Sequence, residues 1–225
     1  MSLLVFCSDY VHPKADRSLL TRSCERVGIT LQTYGHDRNW PGSYGVAKIL
    51  HALEFLKTRT EDVCLYTDSQ DSLLVHDAHA ILNAWMRCGA PHVLLQAEKN
   101  CYPEPSWEPE YPRTDSPWRY ICAGGWMGTR EGLIAALTEL AEGEQFAKDS
   151  FCDQRCWTDW YLRHPSGKLK AALDTNCEVF QSMAGTGEIR EDGLNTATGT
   201  RPSVWHFNGR VGGESMWYRG ITGDA

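Results

Sequence analysis

Short apolar runs that do not alternate with polar residues recur along the chain, and each closes on a polar or glycine-containing turn. Leu3 to Cys7 is the first, opening into Ser8-Asp9-Tyr10. Val63 to Thr67 is the second, ending at Asp68-Ser69-Gln70-Asp71, and His92 to Gln96 is the third. Runs of this length without alternation predict central strands covered on both faces. Between them the apolar spacing becomes helical. Val46, Ile49, Leu50, Leu53 and Leu56 form one face, led in by the turn-rich Trp40-Pro41-Gly42-Ser43-Tyr44-Gly45, and Ile81, Leu82, Trp85 and Met86 form another, closed by Gly89. Helices are predicted again over Glu131 to Glu142 and Ser150 to Arg163, and late strands at Cys177 to Gln181 and Ser203 to His206. Five prolines among aromatics in residues 100–118 predict an ordered loop or lid without regular structure. Strands alternating with helices, with no repeat and no linker, predict a single α/β layered domain over residues 1–225.

Composition narrows the function classes. With 42% hydrophobic and 23% charged residues the chain is ordinary for a globular domain, except for nine tryptophans and nine tyrosines. That surplus suits sugar or base stacking as well as core packing. A formal charge of −7 argues against a surface built to coat nucleic acid or an anionic membrane. No stretch approaches the roughly 18 apolar residues of a membrane span, and the first residues lack the length and basic flank of a signal peptide, so a cytoplasmic protein is expected. The nine cysteines show no paired framework. Cys152 and Cys156 could share a helix face, but a zinc site would need further ligands that no second cysteine pair supplies.

Chemistry concentrates after the second strand. A tight turn there can bring Asp68 and Asp71 towards one point at the sheet's edge, where paired carboxylates would hold a hard divalent cation and leave positions open for phosphate oxygens. Aspartates in such turns also cap helices and fix loops, and both readings stand on spacing alone.

The surrounding segments resemble a known family. Leu65-Tyr66-Thr67-Asp68-Ser69-Gln70-Asp71 is similar to the Asp-Ser-Tyr-Asp segment of the glycosyltransferase domain in procollagen lysyl hydroxylases and collagen glycosyltransferases. Trp40-Pro41-Gly42 with Gly45 and Lys48 resembles that family's Trp-x-Gly loop and lysine-bearing helix. Gln96-Ala97-Glu98 with Cys101-Tyr102-Pro103 resembles its Ser-Ala-Glu and Cys-Trp-Pro, and Ile121 to Gly128 its Leu-Asn-Ser-Gly-Gly-Phe-Ile-Gly. Asp153-Gln154, Trp160-Tyr161, Asp174 with Val179-Phe180-Gln181, and Val204 to Gly209 follow in the same order.

The resemblance implies a GT-A fold, a single Rossmann-like domain whose central, mostly parallel mixed sheet is flanked by helices. Its nucleotide-sugar-binding half would span about residues 1–90 and its acceptor half about 91–225. It implies Mn²⁺, with Mg²⁺ as the other option, and a UDP-sugar donor. Asp68, Asp71 and His206 would be the metal ligands, and imidazole suits Mn²⁺ better than Mg²⁺. Trp40 would stack on uracil, and Lys48 and Arg210 would meet diphosphate oxygens. Ser8, Gln70, Asn208 and Gly209 would contact the donor. Gly124 and Gly125 would let the acceptor half approach the sugar, although a turn explains two glycines equally well. Asp153, and second Glu98, would be the carboxylate beside the reacting sugar.

This chain departs from the pattern at Gln70, at Cys122-Ala123 where the family has Asn-Ser, and at Ser150-Phe151-Cys152. The acceptor therefore stays open among a protein hydroxylysine, a glycan and a hydroxymethylated pyrimidine in viral DNA. The DNA reading draws on compactness, which suits a microbial or viral enzyme, and on Trp107, Tyr111 and Trp118, which could stack a flipped base. Two other classes compete: a carbohydrate-binding module with tryptophan platforms, and a metal-dependent phosphohydrolase using Asp68 and Asp71.

Overall fold

The computed structural model describes residues 1–10, 18–36, 44–147, 152–163, 168–185, 187–210 and 219–220. Its strands are β1 (Leu3–Ser8), β2 (Gln32–Tyr34), β3 (Val63–Thr67), β4 (Ser72–Leu74), β5 (Val93–Glu98), β6 (Tyr120–Thr129), β7 (Ala171–Leu173), β8 (Phe180–Ser182) and β9 (Val204–His206). Its α-helices are α1 (Ser18–Arg26), α2 (Tyr44–Lys57), α3 (Ala78–Arg87), α4 (Arg130–Glu142), α5 (Glu144–Ala147) and α6 (Asp153–Arg163).

Six strands form one sheet in the order β2-β1-β3-β6-β5-β7. β6 runs antiparallel to both its neighbours, and the remaining pairs are parallel. This is the mixed, mostly parallel α/β sheet that the resemblance implied. Successive residues of β1 explain why the runs lack alternation: Leu4 and Phe6 pack under α2, α4 and α6, while Val5 and Cys7 pack under α1 and α3. Both faces of the central strands are dry, so both sets of positions are apolar. A second sheet, β4-β9-β8, begins only four residues after β3, so the segment 68–71 joins the two sheets. Among the described residues no helix is long and apolar enough to cross a membrane.

One alternative and two expectations need correction. The Gly124-Gly125 pair is not a turn; it lies inside the ten-residue β6. The segment 100–118 contains a 3-10 helix, Pro105–Glu110. Of the three aromatics offered for stacking a base, Tyr111 and Trp118 are buried, and the half-buried Trp107 lies under the Arg163 guanidinium at 4.7 Å. The late strand starts at Phe180 because residues 174–179 are used by a buried carboxylate. Asp174 accepts the backbone N–H groups of Glu178, Val179 and Phe180, each at 2.8 Å, and Cys177 takes a left-handed φ of 50°.

Burial pushes the Asp174 carboxyl up to about 6 against the pull of those three donors. Asp174→Asn, which has one acceptor oxygen for three donors, is expected to strand a backbone N–H at a cost of about 2 kcal/mol, read as a fall in Tm of roughly 5 °C. Thermal denaturation checks this, and an unchanged Tm would show that the turn into β8 does not depend on the carboxylate.

Candidate active site

A cleft of about 490 Å³ opens beyond the end of β3, with walls from α2, β5, β6, α6 and the 3-10 turn Asn208–Arg210. Its centre is set by register. β4 pairs antiparallel with β9 so that Ser72 faces His206, and Phe207 N–H donates to the Asp71 carbonyl at 2.7 Å. On the other side Asp68 N–H donates to the Gly124 carbonyl at 2.8 Å. Asp68 and Asp71 are thus both held beside Nε2 of the His206 ring. Nε2 lies 3.7 Å from Asp68 Oδ2 and 3.4 Å from Asp71 Oδ1, and one ligand atom from each of the three residues falls within 4.8 Å of the other two.

Such a donor set, two carboxylate oxygens and an imidazole nitrogen converging from a strand end, a turn and a second sheet, fits a divalent cation of the Mn²⁺ type. Among the described residues no other cluster of this kind occurs. Cys152 and Cys156 form none. The unused atoms are tied up. Asp68 Oδ1 accepts from Tyr66 Oη at 2.9 Å and from Lys48 Nζ at 2.8 Å, which leaves Oδ2 facing the cleft centre. Burial works against charge on Asp71, yet the imidazole it faces holds its carboxyl below the ordinary range. Burial also disfavours the His206 imidazolium, but the Asp71 carboxylate beside it raises the ring's pKa well above the ordinary value.

Gly124 is required by this ring. A Cβ there would overlap Cε1 and lie 2.6 and 2.7 Å from Nδ1 and Nε2. Gly125 faces the interior, where a Cβ would stand 2.5 Å from Gln96 Oε1 and 2.8 Å from the Phe180 ring. The pair therefore makes room for side chains of the protein itself. Gly124 still lines the cleft; Gly125 is absent from its lining.

Lys48, which sequence placed on diphosphate oxygens, is a buried residue of α2. Its Nζ sits 2.8 Å from Asp68 Oδ1, 2.7 Å from Asp153 Oδ2 and 3.3 Å from the Ala123 carbonyl, so it links the strand-end aspartate to the first residue of α6. Glu98 ends β5 on the opposite wall. Its carboxylate accepts from Gln154 Nε2 at 2.8 Å and Asn208 Nδ2 at 3.2 Å, and burial pushes its pKa up against these donors. Asn208 and Gly209 line the cleft, the latter with a left-handed φ of 71°. Ser8 is buried, 3.4 Å from Tyr66 Oη, and is not among the lining residues; Gln70 is exposed and likewise absent from the wall. Trp40 and the side chain of Arg210 lie outside the described residues.

Sequence reasoning assigned no role to Gln96, Gln154 or Tyr66. Gln154 has a recognisable signal, its place beside Asp153: it bonds Glu98, the Tyr102 carbonyl at 3.0 Å and Ala123 N–H at 3.3 Å, which ties α6 to β5 and β6.

Comparison with known proteins points the same way. A family profile described as the PLOD GT domain matches residues 14–212. Procollagen-lysine,2-oxoglutarate 5-dioxygenase 1 of Bos taurus is 27% identical over 206 residues, which cover 84% of this chain and 27% of that protein. The multifunctional procollagen lysine hydroxylase and glycosyltransferase LH3 of Rattus norvegicus is 27% identical over 208 residues, with 84% and 27% covered. Procollagen-lysine,2-oxoglutarate 5-dioxygenase of Drosophila melanogaster is 26% identical over 209 residues, with 84% and 28% covered. The chain thus spans 27 to 28% of the length of these relatives, all of them animal proteins.

Proposed function

Because the chain belongs to the PLOD glycosyltransferase-domain family, we propose that it transfers a hexose from a UDP-sugar to a hydroxyl acceptor, with Mn²⁺ held by Asp68, Asp71 and His206. The observation that carries this reading is the convergence of Asp68 Oδ2, Asp71 Oδ1 and His206 Nε2 on one point of the cleft. When bound, the cation supplies positive charge beside a departing diphosphate. The protein's own residues arrange the rest. Lys48 keeps Asp68 and Asp153 from repelling one another and fixes Asp153 at the mouth of α6, where it would face the reacting sugar or hold its hydroxyls. Glu98, with its pKa pushed up by burial, is the group suited to taking a proton from the acceptor hydroxyl, and Gln154 and Asn208 hold its two oxygens in place.

We assign the donor site to the side of β1, α2 and β3, and the acceptor site to the β5–α6 side, where Glu98, Asn100, Tyr102 and Gln154 line the wall. The acceptor is placed among protein and glycan hydroxyls. A DNA base has less support, because two of the three aromatics invoked to stack it, Tyr111 and Trp118, are buried, and the half-buried Trp107 lies under the Arg163 guanidinium.

Incubation with a panel of UDP-hexoses tests the reading. UDP release is expected with Mn²⁺ for one donor and is expected to stop with a chelator. Saturable sugar binding with no UDP release from any donor, with or without metal, would instead support a carbohydrate-binding module. Metal-dependent phosphate release from simple esters would support a phosphohydrolase.

A further inference from the structure

One buried amide remains without an explanation. Gln96 lies in β5, fully enclosed, and its Oε1 stands 3.2 Å from His206 Nδ1. Its Nε2 finds no hydrogen-bond partner among the described residues. A buried amide with its donor end unpaired is destabilising, and an apolar residue of the same shape would avoid that cost. Space is also reserved for it, since a Cβ on Gly125 would crowd Oε1.

The geometry points to Gln96 as the positioning residue of the candidate metal centre, an inference that rests on the metal reading above. An acceptor oxygen at Nδ1 favours keeping a proton there, so that it is Nε2 that gives up its proton and offers a lone pair when a cation occupies the point where Asp68 and Asp71 converge. The second group near Nδ1, Cys122 Sγ at 3.5 Å, is a weak acceptor and cannot impose the same choice. Cys122 is, however, the cross-strand partner of Gln96 on β6. An asparagine at 122 would bring an amide oxygen to the ring from the opposite strand, at about the reach the thiol has now.

The test is Mn²⁺ uptake by metal-free protein, measured by calorimetric titration and by the EPR signal of free Mn²⁺, with metal-free Tm recorded alongside. Gln96→Leu is expected to weaken Mn²⁺ binding about 10- to 100-fold, while the metal-free Tm stays level or rises because the unpaired amide is gone. Adding Cys122→Asn to Gln96→Leu is expected to restore binding to within a few-fold of wild type, a rescue that a purely packing role would not produce. If the branched leucine is not accommodated, Gln96→Met follows the path of the glutamine chain without either amide atom and serves in its place. Wild-type affinity in the single variant, or no rescue in the double, overturns the role of Gln96 and leaves the metal site standing. No Mn²⁺ uptake by the wild type overturns both.

Discussion

Asp71→Asn is expected to lower metal-dependent sugar transfer by about 10³-fold, corresponding to roughly 4 kcal/mol of lost charge stabilisation. The substitution keeps the shape of the side chain and removes a full negative charge from the point that Asp68 Oδ2 and His206 Nε2 also face. It also takes from the imidazole the carboxylate that most favours its charged form. Asp71 is one-third exposed and sits in a turn, so the metal-free Tm is expected to stay close to wild type, as for most substitutions away from a packed core. Initial rates of UDP release with excess Mn²⁺, set beside thermal denaturation without metal, separate the two effects. Full activity in a normally folded variant would remove Asp71 from the site.

The second large effect is predicted where no chemistry is apparent. Gly124→Ala adds one methyl group to the middle of β6, directly into the His206 ring. The ring is almost fully buried, bonded to Gln96 on one side and set against Asp71 on the other, so a shift into the cleft it lines breaks both contacts. Overpacking of this kind costs about 1–3 kcal/mol, and the expulsion of the imidazole is expected to weaken Mn²⁺ binding by at least the roughly 10- to 100-fold that follows loss of a ligand's supporting contact. Titration of the metal-free variant with Mn²⁺ measures this. Wild-type affinity and Tm together would mean that the ring does not lie across Gly124.

Much of the fold was legible because burial on both faces of the sheet leaves a direct mark on sequence. β1, β3 and β5 appear as unbroken apolar runs, and α2, α3, α4 and α6 keep helical spacing because one stripe of each packs on that sheet. β6 was hidden by the same pair of residues that makes the site possible. Two adjacent glycines read locally as a turn, and only the packing of His206 and Phe180 against the strand explains why side chains are excluded there. β2, β4 and β7 have three residues each, too few for a period to show, and Asp174 displaces the start of β8 by drawing three backbone donors into a turn.

The candidate metal ligands were legible from the motif resemblance, and the structure brings all three together. The supporting residues were not, for a physical reason. Lys48 looked like a solvent-facing helix lysine or a phosphate contact, but its partners, Asp68 and Asp153, lie 20 and 105 positions away in sequence. Gln96 meets His206 across 110 positions. Pairings of that range are made by topology, and local pattern carries no trace of them.

The central claim is that one divalent ion is held between the segment joining the two sheets and the end of β9. Anomalous scattering from crystals grown with Mn²⁺ and UDP, recorded at the manganese edge, tests it most directly. The account predicts a single strong peak in bonding contact with Asp68, Asp71 and His206 Nε2. A peak elsewhere, or none at saturating Mn²⁺, would contradict it.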